Sequence, residues 1–116
     1  MPPATLTPFE VCCVEEGEAA RLELRGELDM ATAPVLERVI KTAARSHPDR
    51  IVLDLSGLSF VDVSGLRAIL DAARAARREG RGLVIANPLP HIVRLLELTA
   101  IDQSVEVLGR PLSPVP

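Results

Sequence analysis

The stretch Ile51-Val52-Leu53-Asp54-Leu55-Ser56-Gly57-Leu58-Ser59-Phe60-Val61-Asp62-Val63-Ser64-Gly65-Leu66-Arg67-Ala68-Ile69-Leu70 constrains this chain more than any other. Its apolar opening, from about Arg50 to Leu55, reads as a strand buried on both faces. The pattern breaks at Ser56-Gly57, where a loop is expected. A helix follows from about Ser64 to Arg78, with Leu66, Ile69, Leu70, Ala73 and Ala76 inside and Arg67, Asp71, Arg74, Arg77 and Arg78 outside. Ser64 is expected as its N-cap, since a serine hydroxyl accepts an otherwise unpartnered backbone N–H there. One hydroxyl is thus offered at a helix N-terminus, two residues after a carboxylate.

The flanking segments alternate in the same way. Phe9–Val14 suggests an edge strand, Glu15–Glu18 an acidic turn, and the alternation in Ala20–Arg25 a second strand of a hairpin. Gly26-Glu27-Leu28-Asp29 leaves that strand. Thr32 is placed as an N-cap with Pro34 in the first turn of a helix whose inner face is Val35, Leu36, Val39, Ile40 and Ala43. Ser46-His47-Pro48-Asp49 stops it. Beyond the central helix, Leu83–Ala86 reads as a strand. A helix starts near Leu89, with Ile92, Val93, Leu95, Leu96 and Leu98 as its apolar side, and a short strand covers about Ser104–Leu108. The order ββαβαβαβ predicts an α/β domain with a mixed, mostly parallel sheet of about five strands and three main helices, opened by an antiparallel hairpin. Residues 1–8 are read as a flexible arm, 9–108 as the single domain and 109–116 as a proline-rich tail.

Composition removes several function classes. A net charge of −3 and only two aromatic residues argue against nucleic acid, which needs a basic excess and stacking platforms. No uncharged apolar run is long enough to span a membrane, and the start resembles no signal peptide. Cys12 and Cys13 are adjacent, so a disulfide between them is disfavoured. They are expected as one buried and one exposed thiol, reduced in a cytoplasmic protein.

An enzyme reading of Ser64 meets two obstacles. Asp62-Val63-Ser64-Gly65-Leu66 is not the hydrolase elbow, and only His47 and His91 could act as its base, both beside prolines. Gly80-Arg81-Gly82 precedes a strand, so it is no dinucleotide loop, and no phosphate loop or metal-spaced cluster is present. No cofactor and no metal are expected. Asp54 is expected to cap the turn after its strand.

Three segments resemble the STAS family, in particular bacterial anti-sigma factor antagonists. They are Leu24–Asp29 with Thr32-Ala33-Pro34; Val52–Leu66, around the family core D-[ST]-[ST]-G; and Ala86-Asn87-Pro88 through Val93–Thr99. The resemblance spans about residues 9–108. It implies a non-enzymatic module whose unmodified form binds an anti-sigma factor, itself a serine kinase, and so frees a sigma factor. Phosphorylation of the residue before the motif glycine, here Ser64, ends the complex, and a phosphatase resets it. It implies a partner-binding surface of Asp62, Val63, Ser64 and Gly65, with Glu27 and Asp29 at the end of a neighbouring strand. Two departures stand out. Val63 replaces the first motif hydroxyl, which leaves open a STAS subunit of another assembly, in lipid transport or stress sensing, without a phospho-switch. The prolines after Gly109 also prevent the family's C-terminal helix, so the sheet surface it covers is a candidate for self-association as a homodimer.

Overall fold

The computed structural model describes residues 8–46 and 48–109. The arm before residue 8, His47 and the tail beyond Gly109 lie outside the described residues. Five strands, β1 (Glu10–Glu16), β2 (Ala19–Leu28), β3 (Arg50–Val61), β4 (Gly82–Ala86) and β5 (Glu106–Leu108), form one sheet in the order β1-β2-β3-β4-β5. The β1–β2 pair is antiparallel and the other three are parallel. Helices α1 (Ala33–Ala44), α2 (Val63–Arg78) and α3 (Pro90–Leu98) make the three crossovers, and a 3-10 turn (Ile101–Gln103) precedes β5. All crossovers step the same way along the sheet, so their right-handedness places the helices on one face. The expected order and hairpin are therefore found.

Alternation in β2 shows how the core forms. Ala20, Leu22, Leu24 and Leu28 are buried, while Glu23, Arg25 and Glu27 are exposed. The inward set joins Ile51, Leu53, Leu55 and Leu58 of β3 with Leu36 and Ile40 of α1, Leu66 and Ile69 of α2, and Ile92 and Leu96 of α3 in one cluster. With so few aromatics, burial of these aliphatics supplies the main driving force, about 1.5–3 kcal/mol per fully buried side chain.

The largest correction concerns the centre of the sequence. β3 does not stop at Leu55, and β2 does not end at Arg25; they stay paired out to Leu28↔Val61. Two register shifts, between Glu23 and Arg25 and between Gly26 and Glu27, each leave one extra residue on β3. These bulges absorb the irregular Ser56-Gly57-Leu58-Ser59 pattern that reads as a loop. Gly57 is needed there, because a Cβ would stand 2.9 Å from the Leu24 carbonyl oxygen. Leu98 is the second correction. It lies two residues past buried Leu96, about 200° around the helix, and is exposed rather than part of the apolar side. Cys12 and Cys13 are both exposed, because β1 is the outermost strand and the helical layer leaves a cleft of about 640 Å³ beside Cys13. The apolar residues of β4 are all buried, Val84 and Ala86 included, so that strand presents no bare apolar surface. No helix among the described residues is long and apolar enough to cross a membrane.

Asp54 is the buried charged residue of the sheet, and its environment explains why it is tolerated. Its carboxylate pairs with Arg21 from β2 and accepts the Ser56 N–H at 2.9 Å; since β3 runs on to Val61, this bond lies at a bulge within the strand and not in the expected turn. Burial opposes its ionisation, but the Ser56 hydrogen bonds and the Arg21 charge outweigh burial and hold its pKa below the ordinary carboxylate value. A depressed pKa in the folded state adds stability above the unfolded value, near 3.9, and that stability is lost as pH falls through the folded value. Asp54→Asn is therefore expected to cost about 2 kcal/mol at pH 7 in urea unfolding. The gap from wild type should close in strong acid; a gap independent of pH would contradict this account.

Candidate functional site at the start of helix α2

The chain leaves β3 at Val61 and turns directly into α2. Asp62, not Ser64, is the N-cap: its backbone is extended (φ −106°, ψ −174°) and its Oδ1 accepts the Gly65 N–H at 2.9 Å. Such a cap contributes about 1 kcal/mol. The Asp62 N–H also donates to the Leu28 carbonyl at 3.1 Å, which ties the helix start to the end of β2. A side-chain cap typically forms from extended backbone, and the chain is still extended at Asp62 because β3 runs to Val61. Ser64 therefore falls at the second helical position, half-buried, and its hydroxyl is free of capping work.

Gly65 sets how closely α2 approaches the sheet. A Cβ there would meet Val61 Cγ2 at 2.7 Å, Leu28 Cγ at 2.8 Å and the Leu28 carbonyl oxygen at 2.8 Å. Val63, the departure from the motif, is 73% exposed and Met30 is 76% exposed, an unusual pair of apolar side chains to leave in water. They line one groove of about 410 Å³ with Ala33, Pro34 and Glu37 of α1 and Ser64, Arg67, Ala68 and Asp71 of α2.

The other expected site residues divide. Asp29 is engaged in its own turn: its Oδ1 accepts the N–H groups of Ala31 and Thr32, each at 3.0 Å, and its N–H donates to Thr32 Oγ1 at 2.8 Å. Thr32 stands at the N-cap position of α1 but makes no side-chain cap bond, because its hydroxyl instead serves this turn and donates to the Glu27 carbonyl at 2.9 Å. Glu27 is exposed and in register with exposed Phe60, and neither lines the groove. Asp62, Val63, Ser64 and Gly65 are consecutive at the helix start, and of these Val63 and Ser64 line the groove. The Asp62 N–H bond to the Leu28 carbonyl brings the end of β2, next to Asp29, up to this start, while neither Glu27 nor Asp29 lines the groove. The groove residues Met30, Glu37, Arg67 and Asp71 escape sequence reasoning because the β2–α1 turn, α1 and α2 supply them from separate parts of the chain. Val63 was the available signal, an apolar residue where a helix start should face water. His91 is the one histidine among the described residues; its Nε2 donates to the Ser59 carbonyl at 2.7 Å, and it does not line the groove. Among the described residues, no group of three or more His, Cys, Asp or Glu is placed to hold a metal ion.

The family model described as "Mlab, STAS domain" matches residues 13–110. The chain is a STAS domain. It is similar to the anti-sigma-B factor antagonist of Staphylococcus aureus, with 28% identity over 86 residues, covering 74% of this chain and 80% of that protein. It is also similar to the anti-sigma-B factor antagonist of Bacillus subtilis, with 25% identity over 91 residues, covering 78% and 82%. Among solved structures, an anti-sigma factor antagonist from Mycobacterium paratuberculosis superimposes with a TM-score of 0.74 at 25% identity, covering 89% of this STAS domain and 87% of that chain. The match to the family model includes every element from β2 to β5 and the whole start of α2.

Proposed function

We propose that this STAS domain, carried by residues 9–108, is a cytoplasmic anti-sigma factor antagonist without enzymatic activity of its own. Its unmodified form binds an anti-sigma factor that is a serine kinase, and the bound sigma factor is set free. Phosphorylation of Ser64 ends the complex, and a phosphatase restores it. The observation that carries this reading is the geometry of Ser64. Its hydroxyl has no capping duty, it sits on a rigidly tethered helix start, and exposed Met30 and Val63 flank it as apolar contacts for a partner. Relatives named as anti-sigma-B factor antagonists support the partner class. Kinase chemistry here would transfer the γ-phosphoryl group of ATP: the bond to Ser64 Oγ forms, the bridging bond to ADP breaks, and the hydroxyl proton leaves to a base of the kinase. The test is to incubate the chain with the anti-sigma factor kinase of its source organism and ATP, then map the phosphate by mass spectrometry. Phosphate on Ser64, absent in Ser64→Ala, is expected; a kinase that binds but leaves Ser64 unmodified would overturn the switch.

A second reading has its own observation. Val63 puts an exposed apolar group where the family motif carries a hydroxyl, which suits a permanent contact better than a regulated one. In that case the domain is a subunit of another assembly, in lipid transport or stress sensing. Stable co-purification with such subunits, insensitive to ATP, distinguishes it.

A further inference from the structure

We propose that Arg67 is the intramolecular partner of a phosphate on Ser64, so that modification withdraws a cation from the docking face as well as adding negative charge. This rests on Ser64 being the modified residue. Ser64 and Arg67 are three residues apart on α2, a spacing that puts two side chains on one face with Cβ atoms about 5–6 Å apart. Both line the same groove. Arg67 is exposed, and the ion pairs found among the described residues engage Arg21 and Arg81 instead.

The charged groups facing Arg67 set its choice. Glu37 of α1 lies across the groove, and Asp71 stands one turn further along α2. Asp62 is at the helix start, with Oδ1 already accepting the Gly65 N–H. In the unmodified protein Arg67 therefore has only single carboxylates to attract it, none closer than an ion-pair distance among the pairs found, and its guanidinium is available to a bound partner. A phosphoserine brings close to two negative charges and three acceptor oxygens, which the planar guanidinium matches with two parallel N–H donors. It outcompetes Glu37 and Asp71 on charge and on the number of acceptor oxygens. The groove's side-chain charge then falls by nearly two, and its one arginine is turned onto the phosphate.

The test uses the full chain with phosphoserine installed at position 64 during synthesis, so neither kinase nor partner is needed. The second ionisation of the phosphate, near pH 6 in free phosphoserine, is followed by phosphorus NMR in the native sequence, in Arg67→Gln and in Arg67→Lys. In the native sequence it is expected roughly half a pH unit lower than in Arg67→Gln, with Arg67→Lys between them and the difference shrinking at high salt. Arg67 is exposed, so these variants leave the core untouched. Coincident titrations in all three chains would overturn the pairing. That failure is separate from failure of the switch, which shows as an unmodified Ser64 in the kinase experiment whatever the titration gives.

Discussion

Gly65→Val is expected to destabilise the domain by about 3 kcal/mol, and Gly65→Ala by about 1–2 kcal/mol. Two effects oppose each other at this position. Alanine is favoured over glycine inside a helix by about 1 kcal/mol, so at an exposed site the substitution would stabilise. Here the new Cβ meets three atoms inside 3 Å, and one of them is the Leu28 carbonyl oxygen, which cannot swing aside like a side chain. That oxygen also accepts the Asp62 N–H. Moving α2 outward to relieve the clash would break the tether that positions Ser64. Overpacking of this kind costs about 1–3 kcal/mol, enough to exceed the gain in helix propensity. A thermal melt reads the result, with about 4–8 °C expected per kcal/mol in a domain near this size. An alanine variant as stable as wild type would show that α2 is not held this closely.

Ser64→Asp is expected to keep the fold and to bind the anti-sigma factor at least about tenfold more weakly, whereas Ser64→Ala binds as wild type does. The fold is expected to survive because an acidic side chain in the first turn interacts favourably with the helix dipole, by about 0.3–1 kcal/mol. Binding is another matter. Groove residues Glu37 and Asp71 already outnumber Arg67, so a further carboxylate makes the docking face more negative. A partner shaped for a neutral hydroxyl beside exposed Val63 and Met30 must then desolvate a charge. A tenfold loss is only about 1.4 kcal/mol, well inside the several kcal/mol that a misplaced interfacial charge costs. Equal affinity of the two variants would contradict the electrostatic account.

How much of this was legible follows from the range over which each feature is encoded. The order of elements was, because each strand is a contiguous apolar or alternating run and each helix carries its own stripe, as in β2 and α1. The full length of β3 was not: Ser56 and Ser59 interrupt its pattern, and only pairing with β2 through two bulges reveals that they belong to a strand. The cap depends on the same strand length, since a helix starting after a loop suggests Ser64, whereas one starting from a strand end selects Asp62. The Arg21–Asp54 pair and the groove between α1 and α2 depend on residues about 30 positions apart, and nothing local marks them. Ser64 stands out in the sequence as a hydroxyl at a helix start, and the structure moves it from the N-cap to the second helical position.

In the proposed switch, a folded surface around Ser64 binds an anti-sigma factor and one phosphate ends the binding. The most direct measurement is the dissociation constant of the source organism's anti-sigma factor for this chain, unmodified and carrying phosphoserine at position 64, by calorimetry at one salt concentration. The unmodified chain is expected to bind, and the phosphorylated chain to bind at least about tenfold more weakly. Equal dissociation constants for the two forms would contradict it.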